Sequence, residues 1–153
     1  MKWPKAEGSQ CPGCGAPAII EVSDPIQQIA AGRAYPVSGF RYNRCSACGE
    51  EYFAAGQLDD IQRAANAAAR DELGRLSGED IATIRRALGL TQRQLAERLA
   101  VSPGLVARWE RGTVLASAMA DRYLRDLSAH PELVDRGNLI AREGRGPYKP
   151  RTI

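Results

Sequence analysis

The sequence predicts a mainly α-helical fold with a small β domain at its N-terminal end. Three observations carry that prediction. All four cysteines fall in two C-x-x-C-G pairs, Cys11-Cys14 and Cys45-Cys48. Between and beside them lie short runs of β-branched and aromatic residues, such as Ala18-Ile19-Ile20-Glu21-Val22. From Leu58 onward the pattern becomes alanine-rich and then apolar at helical spacing. With 153 residues there is room for one ordinary domain or two small ones. The 44% apolar and 25% charged content is that of a globular chain.

Residues 1–10 are polar, carry no apolar signal-peptide run, and are expected to be disordered. Residues 11–57 follow as a four-cysteine domain. Two residues between the cysteines of each pair let both thiolates reach one ion, and the trailing Gly15 and Gly49 tolerate the left-handed backbone that turns N–H groups toward sulfur. Cys11, Cys14, Cys45 and Cys48 are therefore expected to hold one structural Zn2+, with no open position for chemistry. A disulfide pair would need an oxidising compartment, and a redox C-x-x-C a thioredoxin-like setting that is not present. The lone His130, beside Pro131, reads as a helix-end residue rather than a ligand.

Within this domain Ala18–Val22 reads as a strand, and Tyr35–Tyr42 as two short strands around Ser38-Gly39. Residues 23–34 are ambiguous between a short helix and a loop. The core is thin, so the metal is expected to supply much of the folding energy. Residues 58–76 form an alanine-rich helix, expected to pack weakly and to act as a helical linker.

Residues 77–136 read as a domain of five helices. Glu79–Leu88 turns Ile81, Ile84 and Leu88 inward. Thr91 is an N-cap whose capping box is completed by Gln94, and Leu95, Ala96 and Leu99 share one face. Ala100-Val101 forms the corner. Ser102 caps the next helix, Pro103 takes its first position, and Leu105, Val106 and Trp109 face inward. Capped helix, short corner and capped helix make a helix-turn-helix, whose second helix enters a DNA major groove. Ser117–Ala129 follows, with Met119, Tyr123, Leu124 and Leu127 along one side, then a short helical turn from His130 to Leu133. Residues 137–153 read as a flexible basic tail, with four Lys/Arg against one Glu; Arg142, Arg145, Lys149 and Arg151 either serve solubility, the simpler reading, or follow phosphates as an arm.

The run IRRALGLTQRQLAERLAVSPGLVARWERG resembles the helix-turn-helix of the Xre/Cro repressor class. Together with the C-P-x-C-G and C-x-x-C-G knuckles and the later Y-L-R-D-L-x-x-H-P-E-L, the chain resembles the MqsA-type antitoxins with a YgiT-type zinc finger over residues 11–136. That resemblance implies a zinc-stabilised N-terminal domain that binds a small ribonuclease toxin, and a C-terminal domain that dimerises and represses its own promoter. It carries the metal ligands onto Cys11, Cys14, Cys45 and Cys48. It also implies base reading by an Asn and, four residues later, an Arg. The arginine is Arg108, whereas the asparagine position is Gly104. In the same class a glutamate at Glu110 pairs with an arginine at Arg85.

Helical phase leaves Ser102, Gly104, Ala107, Arg108 and Arg111 on the outward side of the second helix. The Arg108 guanidinium matches guanine O6 and N7. Thr91 and Gln92 are placed for phosphate hydrogen bonds, and Arg93 and Arg111 add phosphate attraction that weakens with salt. One helix reads few base pairs, so a homodimer on a palindromic double-stranded operator is expected; the apolar side of residues 117–133 either joins the two chains or closes the monomer's own core. No nucleophile–base constellation, phosphate loop or open metal site points to an enzyme. A cytoplasmic protein without a membrane span is expected. The alternative is a stand-alone Xre-type regulator whose zinc module serves structure or another protein contact.

Overall fold

The computed structural model describes residues 7–134, which form two compact units. The first runs to Gly74 and includes the short segment Gly112–Leu115; the second comprises Arg75–Arg111 and the chain from Ala116.

In the first unit β1 (Ile19–Val22), β4 (Tyr42–Cys45) and β5 (Glu51–Tyr52) make an antiparallel sheet of order β1-β4-β5, with Ile19 opposite Cys45. A separate hairpin joins β2 (Ile26–Ala30) to β3 (Arg33–Val37). The expected strand at 18–22 is present. Of the two expected between Tyr35 and Tyr42, the first falls on β3, while the second is displaced to β4, which begins only at Tyr42; the two pair with different partners. The ambiguous stretch is β2 and its turn. That turn is the two residues Ala31 and Gly32, with φ of 49° and 78°. Both central residues of such a tight hairpin turn need positive φ, so it is usually written Asn-Gly or Asp-Gly. An alanine in the first place hides the signal.

The alanine-rich helix is α1 (Gln57–Leu73). Instead of spacing two domains, it lies in the first unit's core. Ile61, Ala65 and Ala69 are fully buried, packed with Ala30, Tyr35 and Val37 of the hairpin. Small side chains allow the helix and hairpin backbones to approach closely, so a face of alanines need not be a weak one. Buried Asn66 donates to the Gly112 carbonyl at 2.9 Å, and Leu115 packs on the same cluster.

The second unit contains α2 (Gly78–Ala87), α3 (Gln92–Leu99), α4 (Pro103–Glu110) and α5 (Ala118–Ala129). A further turn starts near Glu132; its continuation, and the whole 137–153 tail, lie outside the described residues, as do 1–6. Among the described residues the second unit shows four complete helices, and the fifth expected element, the turn after His130, reaches the edge of those residues. The core is Ile81, Leu95, Val106, Trp109, Leu124 and Leu127. Buried Asp121 accepts the Leu76 N–H at 2.6 Å and the Arg125 Nε–H at 2.8 Å, tying the chain before α2 to α5.

The apolar side of α5 divides in two. Ala120, Leu124 and Leu127 are its buried stripe, while Met119 is 83% exposed and Tyr123 is 40% exposed. These two sit one position, about 100°, around the helix from the stripe that closes the unit's own core.

Candidate metal centre and candidate nucleic-acid interface

The two knuckles have the same local structure. Gly15 N–H donates to the Cys11 carbonyl and Gly49 N–H to the Cys45 carbonyl, each at 2.8 Å, with both glycines at positive φ. This turn folds each C-x-x-C pair back on itself. The pairing of β1 with β4 then brings the knuckles together, since Cys45 ends β4 and the Ser46 N–H reaches the Ala18 carbonyl at 2.8 Å.

All four Sγ atoms lie within 4.8 Å of one another, with Cys11–Cys48 and Cys14–Cys45 each at 3.7 Å. A tetrahedral ion with sulfur bonds of about 2.3 Å spaces its sulfurs by about 3.8 Å. The donor set fits one metal ion with every position filled by protein. Cys11 and Cys45 are buried, and Cys14 and Cys48 face solvent.

The crowding also governs the charge on the sulfurs. The Tyr52 hydroxyl, 3.1 Å from the Cys11 sulfur, draws that thiol down to about 6 despite burial. The Glu50 N–H favours a thiolate at Cys48, but crowding by Cys45 and the other sulfurs, with desolvation, outweighs it and pushes Cys48 up to about 12. At Cys14 the Ala16 N–H is likewise outweighed, by burial and the neighbouring Cys11, and the thiol rises. Four sulfurs this close cannot all carry charge unaided, and a dication removes that penalty.

Tyr52 had no motif to announce it. Its hydroxyl lies between Cys11 and Glu50, whose carboxylate it reaches at 3.0 Å. Groups that orient a ligand typically contribute 10- to 100-fold to metal affinity. Tyr52→Phe is expected to weaken metal binding by about tenfold with the sheet intact, measured by competition with a chromophoric chelator. Unchanged affinity would show that the hydroxyl only fills space.

The second candidate site is built from α2, α3 and α4. Thr91 and Gln94 form the expected capping box. Ala100 ends α3 at φ 53° and turns the chain sharply into the corner. Ser102 precedes α4 in extended backbone with Pro103 after it, but its side chain makes no capping bond. Val106 and Trp109 are buried and Leu105 is half-buried.

Glu110 is the centre of a clamp. Arg85 meets its carboxylate through two bonds, Nε–Oε1 at 2.6 Å and Nη2–Oε2 at 3.2 Å. A third donor of Arg85 reaches the Leu90 carbonyl at 2.9 Å, and Gln92 Nε2 donates to Glu110 Oε2 at 2.7 Å. One arginine and one glutamate thus join the ends of α2 and α4 to the start of α3. Burial alone would raise the Glu110 carboxyl; the Arg85 and Gln92 bonds outweigh it and hold the group below its usual range.

The clamp redistributes the residues expected at DNA. The Gln92 carboxamide turns inward onto Glu110. The Thr91 N–H and hydroxyl are both engaged by Gln94, and Arg93 pairs with Glu97 at 3.0 Å. Ser102, Gly104, Arg108 and Arg111 are exposed and Ala107 is half-buried, along the side of α4 away from the core. A side chain at Gly104 would meet open space. Gly78 has the opposite constraint. A Cβ there would come within 2.3 Å of the Glu110 carbonyl oxygen, so only glycine lets α2 start against the end of α4. The sequence shows this glycine only as a helix breaker.

With both sites in view, the sequence was compared with known families. The model of the antitoxin component of the bacterial toxin–antitoxin system, MqsA, matches residues 9–136. The chain belongs to the MqsA antitoxin family. The match spans both cysteine knuckles and all helices of the second unit. Membership in an antitoxin family implies a toxin as partner of this antitoxin. No curated protein matches its sequence significantly. Among the described residues, no helix of the antitoxin is long and apolar enough to cross a membrane.

Proposed function

We propose that this antitoxin is a sequence-specific transcriptional repressor held together by zinc, which regulates its own operon and binds a ribonuclease toxin through its N-terminal unit. The observation that carries the reading is the family match across both units, one bearing the four-sulfur cluster and the other the capped α3–corner–α4 pair. Zinc is favoured as the metal because four thiolates in tetrahedral spacing are its usual structural set. A filled set of this kind contributes folding energy and no reactive water, and the protein is accordingly proposed not to be an enzyme.

On the DNA side, α4 supplies the readers. Arg108 is the residue able to bond two acceptors of a guanine, while Gly104 and Ala107 let the helix lie close to base edges and thymine methyls. Ser102, Thr91 and Gln92 are assigned to phosphates, with Gln92 acting through its backbone N–H, and Arg93 and Arg111 supply general attraction. Exposed Met119 and Tyr123, one turn apart on α5, support a homodimer through that helix on a palindromic operator.

The test is Arg108→Ala measured against the protein's own promoter DNA. Loss of a base contact is expected to weaken specific binding by about 1–3 kcal/mol and to leave non-specific binding nearly unchanged. An equal loss on both DNAs would reassign Arg108 to a phosphate. No promoter binding by the unsubstituted protein would overturn the repressor reading.

A further inference from the structure

The first unit carries an apolar groove that neither the metal centre nor the DNA-binding reading uses. It lies where β5 runs into α1, has a volume of about 400 Å³, and is lined chiefly by Phe53, Ala54 and Leu58, with Glu51 and Asp59 at its rim. Leu58, in the first turn of α1, is 56% exposed. More than half of its surface stays in water. The groove borders β5, the outer strand of the order β1-β4-β5, with no strand on its far side among the described residues.

Charge distinguishes possible occupants. Residues 7–74 hold five arginines against nine carboxylates, a net of −4. The described part of the second unit, 75–111 and 116–134, holds nine arginines against seven carboxylates, a net of +2. Glu51 is paired with Arg44 at 3.1 Å, but Asp59 has no ion-pair partner among the described residues. An acidic rim around an apolar floor repels nucleic acid and attracts a basic protein surface.

We propose that this groove is where the toxin docks, by seating an apolar side chain against Leu58 and Phe53 with a lysine or arginine beside it at Asp59. The proposal rests on the toxin-binding reading above and adds the surface and the chemistry of the partner. A ribonuclease must itself present cationic surface to hold RNA, so the charges are complementary.

The experiment uses the full-length antitoxin and, as probe, the product of the short reading frame adjoining its gene. Leu58→Arg is expected to weaken binding at least about thirtyfold, as loss of a central anchor does. Asp59→Lys is expected to slow association by about tenfold and to flatten its salt dependence. Ile29→Arg, at a residue 60% exposed but outside the groove, should bind within about threefold of the original. Metal content and melting temperature verify that each variant is folded.

Binding unaffected by Leu58→Arg but lost in Ile29→Arg would overturn the groove and leave the toxin-binding reading standing. No binding by the unsubstituted antitoxin would overturn that reading itself. A change in oligomeric state of Leu58→Arg without toxin would overturn the proposed occupant in favour of a second copy of the chain.

Discussion

Cys45→Ser is expected to unfold the β1-β4-β5 sheet while the helical second unit stays folded. The reason lies in what that sheet has for a core. Its buried cluster is Ile19 with Cys11 and Cys45, flanked by Ala18 and Tyr52. Two of those three residues are cysteines of the candidate metal centre, so this cluster and that centre coincide. A structural zinc site contributes about 10–16 kcal/mol at neutral pH. A whole small domain is stable by only about 5–15 kcal/mol. Loss of one ligand therefore exceeds what Ile19 and a few strand hydrogen bonds supply. Hydrogen exchange read by mass spectrometry should show residues 19–22 and 42–45 losing protection, while Leu95, Val106 and Leu124 keep theirs. Chelation of the native protein should reproduce the pattern. Retained protection at 42–45 after metal removal would show that the sheet is held by packing alone.

The second large effect is expected at Glu110. Its carboxylate and Arg85 are 10% and 16% exposed in their side chains and meet through two bonds. Removing one partner of such a pair leaves the other desolvated and uncompensated, at a cost of about 3 kcal/mol. For a unit of this size Glu110→Ala should lower the melting temperature by about 10–20 °C. It should also weaken DNA binding, because Gln92 and the start of α3 lose their anchor on α4.

The pH dependence has a definite sign. The Glu110 carboxyl is held below its reference value of 4.5 in the folded protein, so below that pH the unfolded chain binds more protons. The clamp's contribution is complete above about pH 4.5 and is lost as pH falls through the folded value. Urea unfolding at neutral and acid pH tests this, with Glu110→Gln as control. The gap in stability between the original and the Gln variant should close in acid. A gap of constant size would show that the pair's charge contributes nothing.

These two sites differ in how much of them the sequence reveals. The cysteine spacing, the Thr91–Gln94 box and the inward phase of Val106 and Trp109 are local matters, decided within about four residues along the chain. The resemblance to repressors named the Arg85–Glu110 pair, and the geometry adds Leu90 and Gln92 to it. Gln92 could not be placed from sequence, because its outward position at the helix start competes with a carboxylate 18 residues away. Tyr52 likewise depends on a cysteine 41 residues earlier.

By itself, then, the sequence determined the four complete helices of the second unit, the Thr91–Gln94 cap, the pairing of the four cysteines into two knuckles and the family. Each follows from short-range rules of capping, turn chemistry and ligand spacing. Tertiary structure alone decided that α1 belongs to the N-terminal core, that β2 and β3 form their own hairpin, that Met119 and Tyr123 stay exposed, and that Gly78 must lack a side chain. The physical reason is the same in every case. Local periodicity says which residues can share a face, but only the arrival of a distant segment decides whether that face is covered, and how closely.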